Sequence, residues 1–316
     1  MLRILVFGAG PLGSYYTAKL HEAGFDVSIL ARGQRYHDIK EYGIVLERFD
    51  TQERAVHRVP AVQELRASDA YDLVLVVMGK NYVPAILPAL SSNRATPTIL
   101  FLGNNVAGPD ELVRTLGLER ILLGFPGLSG ARDRHVVRYI TGKEPSVTMG
   151  ELDGTLSERI TELKGAFEKA GFRVKLCSNM DAWLKCHGAL IVPLSGAYIK
   201  AGRDVTKLAG DKETIALMLK AMKEGFRALR ALGFPVLPSE LKYIERLPLW
   251  ILTPLAQSLL NNKDMKYTFA HGDAMRNELR LLNQELTEVV RRSNVPTPAY
   301  DELTQYLGRM DSTVLA

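Results

Sequence analysis

Cysteine is scarce: Cys177 and Cys186 are the only two in 316 residues. Their spacing fits neither a metal-ligand motif nor a disulfide framework. Both read as small buried hydrophobes, and a reducing cytoplasm is the expected setting. Long apolar runs are lacking as well. Leu73 to Met78 and Ile251 to Leu255 are far too short to span a bilayer. The amino terminus carries Arg3 and a short apolar run, then turns glycine-rich without an A-x-A-like cleavage site. It is expected as a first strand, not a signal peptide. Charge of one sign is in modest excess only, 40 Lys and Arg against 35 Asp and Glu. The short basic clusters, Arg132-Asp133-Arg134 and Arg291-Arg292, do not form a stripe with interleaved aromatics, so neither nucleic acid nor membrane is an expected partner. A small surplus of positive charge suits an anionic cofactor and an anionic substrate.

What is present is periodic. The first half alternates apolar runs with helical stretches: Arg3 to Phe7, Val27 to Ala31, Asp72 to Val77, Thr98 to Leu102 and Ile121 to Gly124 read as strands. Continuous apolar strands separated by helices predict a parallel sheet covered on both faces. Arg138 to Thr141 and Ser146 to Met149 have polar flanks and are expected as antiparallel additions. Ser157 to Ala170 reads as an amphipathic helix ahead of a last strand, Phe172 to Cys177. From Asn179 the pattern is helical, with Met180 to Ala197, Lys212 to Leu232, Pro238 to Leu247, Asp273 to Ser293 and Asp301 to Met310 as the predicted segments. The expected architecture is therefore α/β: a doubly wound sheet over residues 1–178, then an all-helical domain over residues 179–316.

Gly8-Ala9-Gly10-Pro11-Leu12-Gly13 matches G-x-G-x-x-G. The pattern alone is common, but here it follows a strand and opens a helix, as the dinucleotide (Rossmann) fingerprint requires. Gly8 permits the tight turn, Gly10 lets backbone approach a pyrophosphate, and Gly13 allows close packing of helix on sheet. The helix N-terminus then offers free N–H groups and partial positive charge to the phosphates. An NAD site usually places Asp or Glu at the end of the second strand. Here the chain reads Ala31-Arg32-Gly33-Gln34-Arg35, with no acid. Arg32, with Arg35 as a second candidate, suits a 2′-phosphate, which a guanidinium holds in bidentate fashion. The expected cofactor is NADP, and no metal is expected.

With these motifs in order, the sequence resembles the ketopantoate reductase family (2-dehydropantoate 2-reductases). The resemblance runs through Met78-Gly79-Lys80, Leu102-Gly103-Asn104-Asn105, Gly150-Glu151-Leu152-Asp153-Gly154, Trp183-Leu184-Lys185, Glu278-Leu279-Arg280-Leu281-Leu282-Asn283 and Pro296-Thr297-Pro298. It implies a Rossmann domain followed by a helical domain, an active site between them, and hydride transfer from NADPH to a 2-keto acid, ketopantoate to pantoate in pantothenate biosynthesis. Lys185 matches the family's general acid. Glu278 matches the acidic residue that positions substrate and lysine. Asn104 matches the asparagine beside the nicotinamide, and Lys80 the lysine near the cofactor. The chemistry asks for such groups in any case, because a hydride reaching a carbonyl carbon leaves negative charge on oxygen, which a nearby ammonium stabilises and protonates.

The match breaks after Lys185. The family carries two asparagines there; aligning on Pro193-Leu194 puts Gly188 and Val192 at those places. The pocket is then expected to be more apolar, because a lost hydrogen-bond partner removes discrimination for the group it bound. His187 is weighed as a replacement donor against an ordinary packed histidine, and Lys263 or Lys266 as a carboxylate partner. Two other readings follow: a related reductase of a more apolar 2-keto acid, and a non-catalytic NADP-binding sensor. The apolar stretch Leu247 to Leu260, with Trp250, is a candidate face for a homodimer, although a helix buried within the chain would read the same way.

Overall fold

The computed structural model describes residues 1–142, 144–262, 265, 267, 269 and 276–308, and among these described residues twelve strands form two sheets. In chain order the strands are β1 (Arg3–Phe7), β2 (Asp26–Leu30), β3 (Ile44–Arg48), β4 (Arg54–His57), β5 (Ala61–Val62), β6 (Leu73–Val76), β7 (Thr98–Leu102), β8 (Ile121–Gly127), β9 (Ser129–Asp133), β10 (Val136–Ile140), β11 (Ser146–Glu151) and β12 (Arg173–Leu176). The chain divides into two units, Met1–Gly103 with Pro109–Met180, and Asn104–Gly108 with Asp181–Ala316.

The first unit is built on an eight-stranded sheet ordered β12-β11-β8-β7-β6-β1-β2-β5. From β5 to β8 all neighbours are parallel, whereas β11 runs antiparallel to β8 and carries β12 parallel to itself. The central strands are unbroken apolar runs because helices cover both faces of a parallel sheet. Ile4, Leu5 and Val6 of β1, and Leu73 and Leu75 of β6, are wholly buried. The chain lays down β2 on one side of β1 and β6 on the other, so the winding reverses beside β1. Such a reversal opens a crevice at the carboxyl ends of the strands, where ligands of open α/β sheets bind.

The helices of this unit are α1 (Pro11–Glu22), α2 (Gly33–Tyr42), α3 (Leu87–Ser92), α4 (Asp110–Leu116) and α5 (Glu158–Lys169). Proline stands in the first turn of α1, where its missing N–H costs nothing, and Gly24, at φ +83°, follows its end. The Ser157 hydroxyl accepts from the Ile160 N–H to cap α5.

A second sheet, ordered β4-β3-β10-β9, departs from the expected arrangement. The polar-flanked segment ending near Thr141 is β10, which pairs parallel with β3 and antiparallel with β9 and does not extend the main sheet. Only β11 is the antiparallel addition that its flanks predict. This second sheet packs on α1: Tyr139 of β10 meets Tyr15 at 4.7 Å between ring centroids. Helix α1 therefore lies between two sheets, which explains why Tyr15, Tyr16, Thr17 and Ala18 are buried in succession.

The second unit is helical. Its elements are α6 (Met180–Lys200, whose first residue closes the first unit), α7 (Val205–Gly210), α8 (Lys212–Ala231), α9 (Leu241–Arg246), α10 (Leu249–Leu260), and two further helices, Arg276–Arg292 and Pro298–Gly308. Aspartates start α7 and α8, Asp204 accepting from the Thr206 and Lys207 amides and Asp211 from that of Thr214. Helix α8 buries Ile215, Met218, Leu219, Met222, Phe226 and Leu229, the stripe that a 3.6-residue period lines up. Leu282, Leu286, Val289 and Val290 of the Arg276–Arg292 helix complete the core with Tyr300, Leu303 and Leu307. Of the apolar residues on α10, Leu252 and Leu260 are buried, whereas Trp250, Leu255 and Leu259 are exposed. Among the described residues, no helix is long and apolar enough to cross a membrane.

Candidate active site

Each glycine of the 8–13 turn has its own physical reason. Gly8 sits at φ +125°, and a Cβ there would lie 2.3 Å from the Val77 carbonyl oxygen. A Cβ on Gly13 would lie 1.8 Å from the Gly8 oxygen. Both therefore serve the fold itself, pressing α1 onto β1 and β1 onto the segment after β6. Gly10 is different. It has φ −70° and ψ −175°, which any residue adopts, and a Cβ there meets nothing within 4 Å. Neither backbone strain nor protein packing asks for glycine at Gly10; a ligand laid against the backbone would. Gly10 is also the N-cap of α1, offers no side-chain acceptor, and is followed by no acid in the first turn. The Leu12 and Gly13 amides thus face outward without an intrahelical acceptor, and Ala9 and Pro11 complete the turn. The arrangement fits a pyrophosphate.

At the carboxyl end of β2, Arg32 is exposed and caps α2, its Nε donating to the Gln63 carbonyl at 3.4 Å. Arg35 does not stand beside it as a second phosphate ligand. It is buried, and its guanidinium donates to the Ala9 carbonyl at 3.1 Å, the His135 carbonyl at 3.1 Å and the Ser14 hydroxyl at 2.9 Å. Arg35 is a latch that ties the glycine turn, α1 and the β9–β10 hairpin together, and burial lowers its pKa to about 10. One helical turn carries Arg35 inward while Arg32, ahead of the helix, stays outside. Lys80 opens a short 3₁₀ turn, Lys80–Tyr82, beyond the end of β6 and is half-buried.

In the helical unit, the segment Asn104–Gly108 organises the other candidates. The Asn104 side-chain amide donates to Glu278 Oε1 at 3.0 Å, and the Ala107 N–H donates to Glu285 Oε2 at 3.2 Å. Two turns of the Arg276–Arg292 helix thus hold the segment at both ends. Gly108, at φ +98°, lies where a Cβ would come 3.3 Å from both Lys185 Nζ and Asp181 Oδ1. Lys185 and Glu278 are both buried against this one segment. Lys185 ion-pairs with Asp181, one turn earlier on α6, and its ammonium stands 4.8 Å from the centroid of the Phe234 ring. Sequence reasoning missed Asp181, although its i,i+4 spacing to Lys185 was a usable signal.

Beyond Lys185, a Cβ on Gly188 would lie 2.5 Å from Val106 Cγ2. Val106, Ala189 and Val192 belong to the core of this unit. The helix face one and two turns past the lysine is therefore filled with aliphatic carbon. His187 stacks on Trp183 at 5.5 Å and 11°, and burial pushes its pKa down to about 4. It is a neutral, packed ring at neutral pH and not a cationic donor. Cys186 is buried, its thiol donating to the Pro235 carbonyl. Cys177 is half-buried. Lys263 and Lys266 lie outside the described residues. Among the described residues, no group of His, Cys, Asp and Glu could hold a metal ion.

Residues 4–154 match the family model described as Ketopantoate reductase PanE/ApbA. A 2-dehydropantoate 2-reductase of Mesorhizobium japonicum is 29% identical over 264 residues, covering 74% of this chain and 78% of that protein. Over residues 4–154, just under half of the chain, the sequence is similar to the ketopantoate reductase family. That family consists of oxidoreductases, and the fold agrees with it. The crystal structure of 2-dehydropantoate 2-reductase from Geobacter metallireducens superposes with a TM-score of 0.79 at 22% identity, covering 97% of this chain and 99% of that one. The ternary structure of D-mandelate dehydrogenase with NADH and anilino(oxo)acetate gives 0.80 at 16% identity, with 97% of each chain covered.

Proposed function

We propose that this chain is a member of the ketopantoate reductase family and an NADPH-dependent reductase of a 2-keto acid, with ketopantoate the first substrate to test and pantothenate biosynthesis the expected pathway. The observation that carries the reading is the Lys185 ammonium, a buried cation on α6 held by a carboxylate. Free energy spent on burying a charge is unusual without a use for it.

The glycine turn would hold the pyrophosphate against Gly10 and the first amides of α1, and Arg32 would take the 2′-phosphate. The dinucleotide, when bound, would supply the hydride. Lys185 would stabilise the charge that develops on the keto oxygen and donate a proton to it, so that hydride and proton together make the hydroxyl. Asn104, its amide fixed by Glu278, orients the substrate.

One observation favours a second substrate over ketopantoate. Gly188, where a Cβ would meet Val106 at 2.5 Å, offers no polar side chain at that position of α6 to meet a substrate hydroxyl. A 2-keto acid with an apolar side chain needs no such partner. The test is NADPH consumption by the purified protein with ketopantoate and a panel of apolar 2-keto acids, alongside Lys185→Ala. Turnover of ketopantoate, abolished by the substitution, supports the first reading, and turnover of apolar acids alone supports the second. NADPH binding with no turnover of any acid would make the chain a sensor and refute both.

A further inference from the structure

Lys185 is held by a carboxylate other than the one that the family resemblance points to. Resting on the reductase reading above, we propose that Asp181 is the positioning residue for Lys185: its carboxylate fixes the ammonium against Gly108 and holds its positive charge for donation to the substrate oxygen.

Three surfaces define the place of the ammonium. Asp181 lies one turn toward the N-terminus of α6, the direction in which helical side chains lean, so the lysine stem runs back toward it. The Lys185 side chain is only 5% exposed and that of Asp181 28%, so the carboxylate closes the solvent side of the cation. The backbone of Gly108 passes beside the pair, close enough that a Cβ there would come 3.3 Å from both Lys185 Nζ and Asp181 Oδ1, tighter than an ordinary contact. The Phe234 ring faces the ammonium from a third side and adds a cation–π contact. A buried ammonium without an anion is strongly disfavoured, and among the described residues Asp181 is the one that pairs with it.

The other charged or titratable groups on the surrounding elements are turned to different tasks. Glu278 accepts from Asn104, and Glu285 from the Ala107 N–H. Glu224 of α8 accepts from the Tyr300 N–H, Lys223 donates to the Leu247 carbonyl, and His187 stacks on Trp183. Removing the Asp181 charge therefore leaves the lysine without its compensating anion.

The test compares the full-length protein with Asp181→Asn, which keeps the shape and an acceptor oxygen, and with Asp181→Glu. Two readouts are taken: the pH profile of kcat and KM on the best 2-keto acid, and, without substrate, the pH dependence of Lys185 acylation by acetic anhydride followed by peptide mass spectrometry. The proposal expects three results for Asp181→Asn. The alkaline limb of kcat moves to lower pH by about one unit or more, KM stays within about threefold while kcat falls about tenfold or more, and the acylation curve moves the same way. Asp181→Glu restores both curves.

An unmoved limb and acylation curve, with only thermal stability lowered, would reduce Asp181 to a structural role and overturn the proposal. A rise in KM with kcat and its pH profile intact would also overturn it. A displaced acylation curve in a chain that turns over no 2-keto acid supports the electrostatic hold of Asp181 on Lys185, and refutes the reductase reading instead.

Discussion

Replacing Gly10 by alanine separates a glycine demanded by a ligand from one demanded by the fold. The backbone at Gly10 is extended, and the added Cβ meets no protein atom within 4 Å. The folded chain should therefore accept it. Alanine is a poorer N-cap than glycine by a few tenths of a kcal/mol to about 1 kcal/mol, while restricting the unfolded chain returns roughly 0.4–1 kcal/mol. The net change in stability is expected within about 1 kcal/mol of zero. Gly13→Ala is the contrast. Its Cβ would lie 1.8 Å from the Gly8 oxygen, so α1 must move off β1, at a cost of about 1–3 kcal/mol or more. Thermal unfolding and NADPH titration by fluorescence should then divide the two variants. Gly10→Ala keeps its Tm and weakens NADPH binding by about tenfold or more, equivalent to about 1.4 kcal/mol. Gly13→Ala loses several degrees of Tm, about 2–4 °C for each kcal/mol in a unit of this size. Native NADPH affinity in a well-folded Gly10→Ala would refute the reasoning, because nothing would then lie against that backbone.

Arg32→Ala should raise the Kd for NADPH by about tenfold or more while leaving NADH within about threefold, as expected for loss of a charge-assisted contact to the 2′-phosphate; equal losses for both cofactors would count against that contact. His187 has its pKa pushed from 6.5 down to about 4 by burial, so between those values the unfolded chain binds a proton that the folded chain refuses. Stability therefore falls as pH drops from about 6.5 toward 4, by on the order of 3 kcal/mol, and denaturant titrations of His187→Gln should show a flatter pH dependence. Gly188→Asn should destabilise the helical unit by about 1–3 kcal/mol, because its Cβ meets Val106 at 2.5 Å. Adding Val106→Ala should recover most of that loss, and a double variant no more stable than the single would show that Val106 is not the obstacle.

The parallel sheet and the glycine turn were legible because their signals are local: unbroken apolar runs for β1, β6 and β7, and a fingerprint in register with a strand and a helix. The second sheet was not. Its strands mix charge into short segments, Glu47 and Arg48 in β3, Arg54 in β4, Arg132 and Asp133 in β9, and β3 meets β10 across some ninety residues, Val45 pairing with Val136. Arg35 shows the same limit at a site. Arg32 and Arg35 are equivalent cations on paper, and only the position of each relative to the first turn of α2 sends one to solvent and buries the other. Lys185 and Glu278 rest on the family pattern; the Asp181 partner of Lys185 is local, four residues earlier on α6, whereas the Asn104–Glu278 bond depends on how the Asn104–Gly108 segment meets the Arg276–Arg292 helix. Helix starts shifted by a few residues, as with Pro298 against the expected Asp301, since terminal turns are decided by capping more than by apolar period.

The central claim is that this chain moves a hydride from NADPH to the keto carbon of a 2-keto acid with Lys185 as proton donor. NADPH carrying deuterium at both C4 positions of the nicotinamide, incubated with the protein and the 2-keto acid panel, tests it by mass spectrometry of the product. One deuterium is expected at C2 of a 2-hydroxy acid, formed by the native chain and lost in Lys185→Ala. A 2-hydroxy acid formed without deuterium, or equally well by Lys185→Ala, would contradict it.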